Sequence, residues 1–386
     1  MSAENPNIYR RDTDILRRGE GLPVTPRDLY ADNHSLEADR RREAWNRHKA
    51  DGNLTVVWSC GDARVIIPNP ETTVSIRSIA TGSPSDAYPY TRLMESPGVK
   101  NIIILPHFDG ETVKPGEEPT GCGGLGEKKV QETKSSKEVS EGNSVVRYVK
   151  QRVKSSDVLL QACISATITN ENTSKNVLAA AQDHRDGTII PIAAFSDRGR
   201  RTISAINLRH LFQGQYDPKI IYQDGIPSLS EDEIPEEFRA YLTLHRKNLE
   251  ELYKVEPDLV QLQKTQNPTI MALSTDPRPF EVRFPALTAS PNTLFKLSVP
   301  RTRIDSRISI DDQSLNDALD QTEYPVAHFS NLNTIYIETG DFDRSKRVAD
   351  QLILNEWVHD WINEPSHQII AAQTRDGIVS RISTIY

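Results

Sequence analysis

The chain has 386 residues, 37% hydrophobic and 26% charged, with a formal net charge of −8. That length suggests about two to three domains with sizeable cores, and the composition is that of a soluble globular protein. The acidic balance argues against nucleic acid or an anionic membrane as a partner, and no apolar run approaches the ~18 residues that span a bilayer.

Met1 to Pro6 contains no apolar signal core, so a cytoplasmic location is expected. Residues 1–50 read as a polar, arginine-rich helical arm. A helix over Leu36 to Trp45, capped by Asn33 or Ser35, either lies in solvent or packs on a partner subunit. Leu54 to Trp58 is valine-rich and fits a strand buried on both faces. It runs directly into Cys60-Gly61-Asp62-Ala63-Arg64. Thr72 to Ile76 is a second strand, followed by the small-residue loop Arg77 to Gly82. Ile102 to Leu105 is a third and leads into His107.

Apolar strands separated by helix-length segments predict an α/β fold with a parallel-core sheet flanked by helices. Ligands bind such sheets at the carboxyl ends of the strands, where Cys60 and His107 fall. Phe108 to Gly121 is a glycine- and proline-bearing loop that delivers Gly121-Cys122-Gly123-Gly124. Residues 126–142 read as a solvated charge run and Ser144 to Val153 as a helix. Val158 to Ile164 reads as a strand or a buried helix end. Asn176 to Asp183 reads as a helix stopped near Gly187, and Thr188 to Phe195 as a strand. An acidic, proline-containing linker over 215–235 precedes a helical stretch from Glu236 to Leu262, broken at Pro257.

Three cysteines are too few, and odd in number, for a disulfide framework. Two thiols and one imidazole at loop positions suit zinc, with Cys60, His107 and Cys122 as ligands and a fourth position open. Buried thiols are the plainer alternative, and Cys163 is read that way. Asp62 is placed to accept a hydrogen bond and move protons. Arg64 can hold it in a charge-assisted pair, which can equally be only structural. Gly123 and Gly124 allow close backbone approach to a metal. His184, His210, His245, His328, His359 and His367 have no ligand-like partners in the sequence and are assigned no role.

The chain also matches itself. Thr269 to Arg278 lies over Thr55 to Arg64, so that Ser274 replaces Cys60 while Asp276 and Arg278 keep the Asp–Arg pair. Asn333 to Thr339 lies over Asn101 to His107, so that Thr339 replaces His107. Ala371 to Gly377 resembles Ala180 to Gly187 with one residue fewer. Two copies of one α/β unit follow: an arm over 1–50, a zinc-binding unit over 51–220, and a degenerate unit without metal ligands over 221–386.

On these residues the chain resembles the β-class carbonic anhydrases. That family carries C-x-D-x-R after its first core strand and His-x-x-Cys-Gly after a later one. The counterparts here are Cys60-Gly61-Asp62-Ala63-Arg64, His107 and Cys122-Gly123-Gly124. The likeness covers roughly residues 30–200, with a weaker echo over about 235–386. It implies zinc, hydration of carbon dioxide to bicarbonate by a zinc-bound hydroxide, and two tandem units fused as a pseudo-dimer. It also implies two states of the site, with water or Asp62 in the fourth zinc position. Family members are commonly dimers, so a homo-oligomer of pseudo-dimers is expected.

Three departures bear on the substrate. Fourteen residues separate His107 from Cys122 in place of two. The family's R-N-x-G/A-N stretch appears as Arg77-Ser78-Ile79-Ala80-Thr81, and Gly61 stands where the family has serine. Hydrolysis of a related cumulene, carbonyl sulfide or carbon disulfide, is therefore an alternative. A non-catalytic zinc-binding interaction protein is a third reading.

Overall fold

The computed structural model describes residues 23–78, 87–111, 113–117, 119, 158–212, 217–255, 268–289, 294–298 and 322–386. Two helices open this part of the chain, α1 (Pro26–Asn33) and α2 (Leu36–Ala50). Thr25 and Asp28 form a capping box on α1, and the Ser35 hydroxyl caps α2. Asn33 has another task. Its side chain donates to the Arg283 and Gly377 carbonyls and accepts from the Val379 amide.

The first sheet contains β1 (Leu54–Cys60), β2 (Thr73–Ser78), β3 (Val99–Leu105), β4 (His107–Phe108), β5 (Asn176–Asp183), β6 (Ile189–Ser196) and β7 (Arg201–Ser204). Its order is β2-β1-β3-β5-β6-β7, with β4 paired to β5. Strands β1, β2, β3 and β5 run parallel, and β6 and β7 are antiparallel additions. Helices α3 (Ala87–Met94) and α4 (Val158–Asn172) cover one face, around Trp58, Ile104 and Ala179. The other face, with Val57, Ile103 and Leu178, is covered by Leu229, Ile234 and α5 (Glu236–Val255) through Phe238, Tyr241 and Leu242.

The second sheet contains β8 (Ile270–Ser274), β9 (Leu294–Ser298), β10 (Thr334–Thr339), β11 (Gln368–Arg375) and β12 (Ile378–Thr384). Its order is β9-β8-β10-β11-β12, with only the last pair antiparallel. This repeats the β2-β1-β3-β5-β6 part of the first sheet, and the register repeats too. Val56 pairs with Ile102, and Ile270 with Thr334. Gln182 and Gln373 then fall on equivalent places of β5 and β11. Both hairpins carry a register shift, and both turn through a glycine at positive φ, Gly187 at 74° and Gly377 at 81°. One face of the second sheet packs on Leu29 of α1 and on Phe280 and Phe284, the former in α6 (Phe280–Arg283). The other packs on α7 (Phe342–Leu352) and α8 (Glu356–Ile362).

The sheets meet at equivalent edges, β2 against β9. The contacts are reciprocal: the Lys296 amide donates to Gly61 O at 2.9 Å, and the Ser75 amide donates to Pro277 O at 3.0 Å. Helix α2 bridges the halves. Its buried Trp45 donates to Thr73 O at 2.6 Å, and the Arg278 guanidinium stacks on the same ring at 4.6 Å.

Several expectations are corrected. Residues 176–183 form a strand, not a helix; their alanines sit fully buried between β3 and β6 and under covering helices, where small side chains let both layers approach. Val158–Asn172 is a helix. The segment read as a linker over 215–235 contributes buried Tyr222, Leu229 and Ile234. The charge run over 126–142, the helix over 144–153, and Cys122, Gly123 and Gly124 lie outside the described residues. Helix α5, assigned to the second unit by its place in the chain, packs on the first sheet, whereas α1 packs on the second.

Candidate metal centre

Strand β1 is buried along its whole length and ends at Cys60, which is buried. The Cys60 carbonyl accepts from Arg77 Nη1 at 2.7 Å, and Arg77 Nη2 reaches Val65 O at 3.3 Å. The fully buried guanidinium of β2 therefore holds both ends of the loop after β1. Gly61 has no room for a side chain: a Cβ would lie 2.5 Å from Lys296 O and 3.0 Å from the Phe295 ring. Strand β9 of the second sheet fills the space a serine side chain would need there.

Asp62 folds back on Arg64. Its Oδ1 accepts from the Arg64 backbone N at 2.8 Å and from Nε at 3.0 Å, and its Oδ2 accepts from Nη2 at 2.7 Å. The pair is bidentate and buried, as the spacing predicts. Pro106 ends β3, and β4 then turns His107 inward beside Gln182. The His107 ring is 1% exposed. Its Nε2 lies 3.5 Å from Asp62 Oδ2 and makes no hydrogen bond among the described residues. Its Nδ1 lies 3.3 Å from His184 Nδ1.

The charged groups of this corner act on one another. Burial pushes the Asp62 carboxyl up, but His107 and Arg64 outweigh it and hold the group down at about 2. Burial pulls the His107 imidazole down, and the Asp62 carboxylate and the Cys60 sulfur beside it reverse this and leave it raised. Burial, then Arg64 and His107, press His184 down to about 4, so it is neutral at neutral pH. An imidazole nitrogen beside a cysteine sulfur and a carboxylate belongs to the donor set that a soft-to-borderline metal takes. Among the described residues no group of three His, Cys, Asp or Glu side chains is placed to hold a metal. Cys60 and His107 are brought together, while Cys122 lies outside those residues. Cys163 is fully buried in α4, away from the site.

His184 had no sequence-level partner, yet it contacts His107 and lies 3.4 Å from Arg64 Nη1. The signal was its position at the carboxyl end of a strand next to β3, which a helical reading of 176–183 concealed.

The equivalent corner of the second sheet is sealed. Ser274 and the fully buried Arg283 both bond the Glu338 carboxylate, which also accepts from Tyr336 Oη at 2.9 Å and Thr374 Oγ1 at 2.8 Å. The Thr339 hydroxyl donates to Asp341 O, the N-cap of the next helix, and lies 3.0 Å from Ser345 Oγ. Asp276 and Arg278 keep their pair at 3.2 Å. No family model and no curated protein matches the chain.

Proposed function

We propose that the chain is a zinc-dependent lyase that interconverts carbon dioxide and bicarbonate. The supporting observation is the buried Nε2 of His107, 3.5 Å from Asp62 Oδ2 and beside Cys60, at the Asp62–Arg64 pair. Cys60 and His107 would hold the metal, and Cys122, carried over from the family resemblance, would be the third ligand. Zinc, when bound, supplies a Lewis acid that makes water a nucleophile near neutral pH.

The remaining work belongs to the protein. Hydration of carbon dioxide releases one proton for each bicarbonate formed; Asp62, held ionised, can accept a hydrogen bond from the reacting water and so orient it. Arg64 fixes that carboxylate through three hydrogen bonds and keeps it ionised. Arg77, by binding the Cys60 and Val65 carbonyls, sets the loop that carries thiol and carboxylate together. The second unit supplies β9 as the wall behind Gly61 and has lost its own ligands.

Stopped-flow hydration of carbon dioxide, run beside release of sulfide from carbonyl sulfide, tests the reading. Zinc-dependent bicarbonate formation that vanishes in Cys60→Ser is expected. Turnover of carbonyl sulfide alone would move the substrate to that cumulene, and activity in neither assay would contradict the enzyme reading.

A further inference from the structure

We propose that His184 is a positioning residue for the ligand His107, completed by Asp109, so that a carboxylate–imidazole–imidazole series aims the metal-binding nitrogen. The inference rests on the metal reading above and deepens it.

His184 follows β5 and is buried. Its backbone amide donates to Phe108 O at 3.0 Å, which pins the residues after β3 and after β5 to each other. The two rings are tilted by 51° with centroids 5.6 Å apart, and their Nδ1 atoms face each other at 3.3 Å. On its other edge, His184 Nε2 lies 3.4 Å from Arg64 Nη1 and 3.9 Å from Asp109 Oδ2. Arginine can only donate and a carboxylate can only accept, while neutral histidine carries one ring proton.

These rules decide the proton positions once a metal sits on His107 Nε2. The one remaining His107 proton is then on Nδ1 and points at His184 Nδ1, which must accept it. The His184 proton is therefore on Nε2, where Arg64 cannot approach as a donor and Asp109 Oδ2, 3.9 Å away, is the carboxylate it faces. The opposite assignment would set two N–H groups against each other at 3.3 Å. Metal on His107 and an Arg64-to-His184 hydrogen bond thus exclude each other. A ligand histidine that donates its second nitrogen to a fixed acceptor is better oriented and more basic, and loss of such a partner typically costs roughly 10–100-fold in metal affinity.

The test uses the full chain and Zn²⁺ as probe, with affinity read by chelator competition and ring tautomers by nitrogen-15 histidine NMR. His184→Ala should bind zinc roughly 10–100-fold more weakly. His184→Gln, which keeps an acceptor, should recover most of that loss, and Asp109→Asn should weaken binding less than His184→Ala does. Zinc-loaded wild type should show Nδ1–H on His107 and Nε2–H on His184. An Nδ1–H tautomer at His184 in that state, or equal zinc affinity in wild type and His184→Ala, overturns the inference while leaving the metal site standing. Absence of zinc binding in wild type overturns both. If His184→Ala does not fold, Asp109→Asn at its partly exposed position and the wild-type tautomers decide the matter alone.

Discussion

Gly61 shows at the scale of one residue how the second unit shapes the first unit's site. Its missing Cβ is what lets the Lys296 carbonyl approach, so Gly61→Ser must displace backbone, not a pliable side chain. Overpacking of this kind costs about 1–3 kcal/mol. Denaturant unfolding should show that loss together with weaker zinc retention; an unchanged midpoint would mean that β9 does not close on the loop. Asp62 and Arg64 form a second residue-scale test. Asp62→Asn should cut turnover and leave zinc in place, because a neutral amide replaces the anionic hydrogen-bond acceptor held by Arg64. Arg64→Ala should also cut turnover, through a released carboxylate that competes for the metal. The double variant should be no worse than Asp62→Asn alone, and strictly multiplicative losses would show that the two act independently.

At the scale of elements, Glu281 ties α6 to both facing edge strands. It pairs with Lys296 of β9 and lies 3.9 Å from Arg77 of β2. Burial pushes the Glu281 carboxyl up, but Lys296 and Arg77 outweigh it and hold the group below its usual range. A depressed carboxyl stabilises the fold above the unfolded value of about 4.3, and that contribution is lost as pH falls through the folded value. Glu281→Gln should therefore destabilise by about 3 kcal/mol at pH 7, and the two proteins should converge as pH falls below about 4. A difference independent of pH would assign the loss to packing.

The same scale shows what the sequence made legible. Strands β1, β2, β3 and β6 announced themselves as apolar runs bounded by turns, and the carboxyl-end rule placed Cys60 and His107 correctly. Strand β5 did not, because Ala179-Ala180-Ala181 carries helix propensity and only burial on both faces makes it a strand. That misreading hid His184. The crossing of α1 to the second sheet and of α5 to the first left no local signal either, since it rests on contacts between residues far apart in sequence, such as Asn33 with Val379 and Asn69 with Tyr241.

The described residues form two sheets, of which the β2-β1-β3-β5-β6 and β9-β8-β10-β11-β12 parts share one order and meet edge to edge; the first has Cys60, Asp62 and His107 at one corner, and the equivalent corner of the second is closed by Arg283 and Glu338. A fragment of residues 1–220 would lack both β9 behind Gly61 and α5 over Val57, Ile103 and Leu178. It should be insoluble or unable to retain zinc, and a soluble, zinc-loaded, fully active fragment would show that the second unit is dispensable. The central claim is that one corner holds zinc and its counterpart does not. Metal content combined with X-ray absorption at the zinc edge measures this directly. The account predicts one zinc per chain, with two sulfur neighbours near ~2.3 Å and a nitrogen near ~2.0 Å, lost together in Cys60→Ser and Cys122→Ser. Two zincs per chain, or a zinc without sulfur neighbours, would contradict it.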